Sequence, residues 1–381
     1  MNSRERVVTA LNHEEPDRLP IDLGGTVVTS IAKTTYAALR DHLKLPKAPI
    51  RTLEPAQQIA VVDDDVLELF GVDVIPVLAN APASGPLQIV DEPGGSSSFK
   101  DDFGATLRRP QGGFYYDWQE FPLSEPSIEA MRKMPWPDPA DPARYRGLRE
   151  RALQLRKTTD FALFGMAPCG HDLFNQLLRV RGMENGLMDL VAEPDFATAF
   201  LERLTDTIIT AQTCFLKEVG DLIDIHFTAD DFTGQKGPFI SPAIYRRMIK
   251  PLWARITAAI KRHTKAKIFY HGCGAIEPFL PDLIEIGIDI INPVQVSAAG
   301  MDTAQLKMKY GKNMSYWGGG CDTQRVLPYG TPAEVRAETQ RRIRDLAPGG
   351  GFVFNPVHNI QPLVPVENIV TMFETAREYR Y

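Results

Sequence analysis

Cysteine is scarce in this chain, basic charge is not in excess, and long apolar runs are missing. Four cysteines among 381 residues are too few for a disulfide framework, which predicts reduced thiols and a cytoplasmic location. A formal net charge of -6 supplies no basic face, so no nucleic-acid partner is expected. No apolar stretch approaches the roughly 20 residues that cross a bilayer. The opening Met1-Asn2-Ser3-Arg4-Glu5-Arg6 leads into an amphipathic helix pattern instead of a signal sequence. Hydrophobic residues are plentiful, at 44%, which is enough for a sizeable core and argues against wholesale disorder.

Eight strand-like segments alternate with longer helical stretches: 19–23, 72–77, 161–166, 222–227, 268–270, 288–292, 314–317 and 352–355. Between them, residues 194–219 read as one helix, with apolar residues at Phe196, Phe200, Leu204, Ile208 and Phe215. Residues 242–262 read as another, with Ser241 as N-cap and Pro242 in the first position. Thr331-Pro332-Ala333-Glu334 reads as a capping box. Strands alternating with helices predict a parallel sheet, and eight of them predict an α/β fold of the single (β/α)8 TIM barrel type spanning residues 1–381. Residues 80–125 break the rhythm with Gly, Pro and Asp and short alternating pieces. They are expected to form a hairpin excursion over the barrel mouth after the second strand.

In such barrels the chemistry sits at the C-terminal ends of the strands. His271 and Cys273 follow the fifth segment and Cys321 follows the seventh. One imidazole and two thiolates suit zinc and leave a fourth position open, so these three are the expected metal ligands. His358 follows the eighth segment and reads as a fourth ligand, a general acid or a hydrogen-bonding residue. Asp230, Asp231 and Gln235 follow the fourth segment and Asn292 ends the sixth. These four are expected to line a substrate pocket; the alternative for Asp230 and Asp231 is a pair of loop carboxylates capping the turn before Gly234, and placement after a strand favours the functional role. Asp73 lies in the second segment, where a buried carboxylate needs a partner. Cys169 and His171 form a Cys-x-His turn that is more often structural, and Cys214 falls on a helix face as a core residue.

These residues resemble the uroporphyrinogen decarboxylase superfamily over nearly the whole chain. The likeness runs through Pro16-Asp17-Arg18-Leu19-Pro20, Phe70-Gly71-Val72-Asp73, His271-Gly272-Cys273-Gly274, Trp317-Gly318-Gly319 and Asn355-Pro356-Val357-His358-Asn359. The resemblance implies a (β/α)8 barrel and two branches of activity. The decarboxylase branch is metal-free and carries arginines in the loop after the first strand; here residues 24–31 contain none. Asp73 and His358 look like that branch's aspartate and late histidine, so the alternative is a metal-independent decarboxylase or lyase in which these two are catalytic. The methyltransferase branch uses a His-x-Cys pair and a later Cys on zinc. His271 and Cys273 match the pair, while the third position is left to Cys321, His358 or both. The resemblance thus implies a zinc-dependent methyltransferase working between a corrinoid (cobalamin) partner protein and a small methyl acceptor or donor.

Overall fold

The computed structural model describes residues 1–170 and 172–381. Seven parallel strands form one curled sheet: β1 (Val74–Leu78), β2 (Ala162–Met166), β3 (Ile225–Ala229), β4 (Lys267–His271), β5 (Ile290–Asn292), β6 (Ser315–Trp317) and β7 (Phe352–Val353). Each pairs with the next one along the chain, so spatial order equals sequence order. Helices cover the outside, among them α1 (Ser3–Leu11), α2 (Phe174–Arg181), α3 (Pro194–Val219), α4 (Lys250–Lys261), α5 (Pro332–Leu346) and α6 (Val366–Glu378). This is the α/β, TIM-type arrangement that the alternation predicts.

The first strand-like segment, 19–23, enters as an isolated bridge instead of a full strand. Ile21 pairs parallel with Phe354 beyond β7, and the Asp73 N–H at the foot of β1 donates to Ile21 O at 2.8 Å. The excursion is larger than a hairpin. Val90–Asp91, Ser97–Lys100, Thr106–Arg109 and Asp117–Glu120 form a four-stranded antiparallel sheet in sequential order. It touches the loop after β7 through Tyr115 and Gln361 and reaches α2 through Trp118.

Side-chain alternation sorts the strands into two layers, because successive residues point to opposite faces. Phe164, Phe269, Ile290, Trp317 and Val353 pack together inside the curl. Leu163, Ile268, Tyr270, Ile291, Tyr316 and Phe352 face the helices. Phe164, Phe269 and Trp317 meet edge-to-face at 4.9, 5.4 and 5.6 Å, a geometry that adds to the burial of the rings.

Two helix starts behave as expected. Thr331 and Glu334 form the capping box of α5, and α3 runs over the predicted bounds. The helix expected over 242–262 is not continuous. A short turn, Pro242–Ile244, passes into a π-turn, Tyr245–Ile249, before α4 begins. Pro251 explains the break: it has no N–H to give and its ring crowds the carbonyl four residues back. Among the described residues, no helix is long and apolar enough to cross a membrane.

Candidate metal centre

The site follows from the same alternation. His271 is two residues beyond Phe269 and Asn292 is two beyond Ile290, so both point inward at the C-terminal ends of their strands. The β4–β5 register pairs His271 directly with Asn292. Their side chains meet at 2.6 Å between Nδ1 and Oδ1. Asn292 is fully buried, and its amide nitrogen donates to Trp317 O at 2.9 Å. That second bond fixes which end of the amide is oxygen. Nδ1 of His271 therefore faces an acceptor, and Nε2 is the nitrogen turned toward Cys273.

Cys273 sits on the turn that leaves β4. Its own N–H donates to Asp231 Oδ1 at 2.6 Å, and its carbonyl accepts from the Thr233 hydroxyl. The next N–H, of Gly274, donates to Gln295 Oε1 at 2.6 Å. Gly274 has φ +90°, and a Cβ there would come within 2.6 Å of Thr233 O, so the turn requires glycine. The result places Cys273 Sγ 3.4 Å from His271 Nε2.

His358 arrives from the loop after β7. Two flanking asparagines tie that loop down. Asn355 donates to the carbonyls of Asp22 and Thr29; Asn359 accepts from Ser30 N–H and donates to Val27 O. The His358 ring meets the His271 ring edge-on at 5.2 Å between centroids. Burial, and then the neighbouring His271, push the His358 imidazole down to about 3, so it is neutral near pH 7.

His271, Cys273 and His358 thus each offer one ligand atom, all within 4.8 Å of one another. Two tetrahedral zinc ligands with bonds of about 2.0–2.1 Å (nitrogen) and 2.3 Å (sulfur) stand roughly 3.5 Å apart. The His271–Cys273 separation already matches that, and the donor types fit zinc. Burial, and then the Asp231 carboxylate, push the Cys273 thiol well up. Without a cation this thiol is a poor nucleophile; on a metal it is held deprotonated.

The structure does not bring Cys321 to this cluster. Its side chain is fully buried in the outer layer, with Glu338, Thr339 and Arg342 of α5 as its polar surroundings. Burial pushes its thiol far up. Asp73 is also displaced. It lies just before β1, at the opposite end of the sheet from His271, and its carboxylate takes Arg6 Nη1 at 2.6 Å and Arg18 Nη1 and Nη2 at 2.9 Å each. It also accepts from Ile21 N–H. Such a fully bonded, buried carboxylate has no lone pair left for catalysis.

The four expected pocket residues divide. Asp231 borders the cluster, 4.0 Å from His271 Nε2. Asn292 stands behind His271 as its orienting partner, fully buried with both ends of its amide bonded. Asp230 is fully buried and accepts from the N–H groups of Phe174 and Asn175 and from Trp253 Nε1. It caps the first turn of α2, the turn-capping role that a loop carboxylate is able to play. Burial and the repulsion of Asp172 push its carboxyl up to about 7. Gln235 offers its backbone carbonyl to Ala299 N–H. Cys169 is buried, with its thiol toward Asp138 O, while His171 lies outside the described residues. Asp172 and Arg179, an ion pair at 2.6 Å, escaped the sequence reading. Their signal was a carboxylate in the loop after β2 with an arginine seven residues on.

Comparison with known proteins completes the picture. The sequence model of the uroporphyrinogen decarboxylase family matches residues 115–379. The chain belongs to the uroporphyrinogen decarboxylase family. Uroporphyrinogen decarboxylase of Coxiella burnetii is 21% identical over 194 residues, covering 50% of this chain and 49% of its own length. The Neisseria meningitidis enzyme is 25% identical over 187 residues, covering 47% and 48%. The chain therefore spans about half the length of the curated relatives it matches. A methyltransferase from Methanosarcina mazei shares the fold with a TM-score of 0.63 at 16% identity, over 99% of this chain and 98% of that one.

Proposed function

We propose that this family member is a zinc-dependent methyltransferase that moves a methyl group between a corrinoid carried by a partner protein and a small acceptor or donor. The observation that carries the reading is the convergence of His271 Nε2, Cys273 Sγ and a His358 nitrogen within 4.8 Å at the C-terminal ends of the strands. His271, Cys273 and His358 would hold the ion, with His358 taking the place expected for Cys321. Zinc, when bound, supplies a Lewis acid that lowers the pKa of an acceptor thiol or polarises another nucleophile.

The chain's own groups do the rest. Asn292 holds His271 in the tautomer that presents Nε2. Asp231 fixes the Cys273 turn and leaves a carboxylate at the open side. The half-buried position of His358 keeps it neutral. The aromatic trio beneath forms a dry floor, which strengthens electrostatic interactions at the site. We read the segment at 19–23 as the eighth stave of a closed barrel, the whole chain as one domain, and the four-stranded sheet as a roof at the mouth. A cytoplasmic location is part of the same reading, since four cysteines in 381 residues are too few for a disulfide framework. The metal-independent lyase reading loses its acid, because Asp73 is consumed by Arg6 and Arg18 at the far end of the sheet.

The test is an assay with free methylcobalamin and a panel of thiols and a reduced folate, run beside one with uroporphyrinogen. Demethylation of the corrinoid, abolished by chelation, is expected. Carbon dioxide release from uroporphyrinogen overturns the reading.

Asn292 gives a second expectation. Asn292→Ala removes the acceptor for His271 Nδ1–H and is expected to cost about 10–100-fold in zinc affinity. Asn292→Asp, which keeps an acceptor oxygen, is expected to retain more. Competition with a chromogenic chelator measures both.

A further inference from the structure

Helix α2 presents groups beside the metal cluster that the reading above does not use. Asp172, just ahead of the helix, is buried, and the first turn of α2 is capped by Asp230, whose neighbour Asp231 stands 4.0 Å from His271 Nε2, which brings this end of the helix to the cluster. Asp172 takes a hydrogen bond from Arg179 Nη1 at 2.6 Å. Arg179 lies over the ring of Trp118, 5.0 Å from its centroid. Among the described residues, only Asp172 accepts a hydrogen bond from this guanidinium, and its side chain is 29% exposed.

Gln176 lies three residues before Arg179 within α2, and so on the same side of the helix. It is 2% exposed, and its Nε2 has no hydrogen-bond partner. A buried amide without a partner is costly and calls for an acceptor that the protein does not provide. The other carboxylates near Arg179 are held elsewhere. Glu54 takes the N–H groups of Ala56 and Gln57, and Asp101 takes those of Phe103 and Ala105.

We propose that Gln176, Arg179 and Trp118 form a carboxylate subsite beside the His271–Cys273–His358 cluster, which holds the acid group of the small substrate while its other end reaches the cluster. The inference rests on the methyltransferase reading for what happens at that other end, though not for capture of the acid. Asp172 holds one corner of the guanidinium and so sets its plane. The remaining N–H groups form a fork that matches a carboxylate. Gln176 adds a third donor, and the Trp118 ring lies under the guanidinium.

The experiment is calorimetric titration of the full chain with 3-mercaptopropionate, 3-mercapto-1-propanol and propionate, with tryptophan fluorescence as a second readout. The acid thiol is expected to bind at least about tenfold more tightly than the alcohol, a charge-assisted margin. Arg179→Met abolishes that preference, Arg179→Lys keeps part of it, and Gln176→Leu reduces it. Because Arg179→Met strands Asp172, the double variant Asp172→Asn/Arg179→Met is measured alongside and shows the same loss. Equal binding of acid and alcohol by the unmodified protein overturns the proposal, as does a preference that survives Arg179→Met. Metal separates the two readings. If the protein holds no zinc yet propionate binds in an Arg179-dependent way, the subsite stands and the methyltransferase reading falls.

Discussion

Cys273→Ser is expected to leave the protein folded and almost without zinc, where the unmodified chain carries about one ion. The loss should exceed the roughly 10–100-fold penalty of removing an outer-shell partner, because a neutral hydroxyl replaces the one thiolate in the set. Folding should survive. The Cys273 turn is held by backbone groups, namely its N–H on Asp231 and the Gly274 N–H on Gln295, and serine leaves both intact. Elemental analysis of variant and parent, purified side by side, measures the effect. Full zinc occupancy in Cys273→Ser would exclude the thiol as a ligand.

The second large effect lies at the other end of the sheet. Asp73→Ala takes the buried counter-charge from two arginines, leaving Arg6, 6% exposed, with only Asp17 as an acidic partner and Arg18 with only backbone carbonyls, and leaves the Ile21 N–H without its acceptor. Breaking a buried ion pair by removing one partner costs about 3–5 kcal/mol, and denaturant unfolding should show a loss of that size. Zinc content should not change, because Asp73 sits before β1 while the cluster sits beyond β4 and β7. A variant of unchanged stability that loses turnover would instead return Asp73 to a catalytic role.

The contrast between Asp73 and Cys273 shows what the sequence could and could not reveal. Strand positions, and with them the inward aim of His271, were legible because alternation needs only local order. Asn292 was found, but its bond to His271 was not. The register that sets it opposite His271 is a non-local fact that no local pattern encodes. Cys321 was misplaced for a backbone reason. Gly318 and Gly319 follow β6 with φ +90° and +80°, so inward–outward counting from Trp317 stops there, and the chain turns the thiol toward α5. Asp230 and Asp231 are adjacent and chemically alike, yet one caps α2 and the other borders the His271–Cys273–His358 cluster. Only the packing of α2 against the end of β3 separates them. Asp172, Gln176 and Arg179 carry no motif at all; a loop and a helix bring them to the site.

X-ray absorption at the zinc edge tests the central claim most directly. The account predicts one sulfur scatterer at about 2.3 Å and nitrogen scatterers at about 2.0–2.1 Å, from Cys273 and from His271 and His358. That spectrum should be unchanged in Cys321→Ser. A shell of two sulfurs that falls to one in Cys321→Ser, or a protein that takes up no zinc, would contradict it.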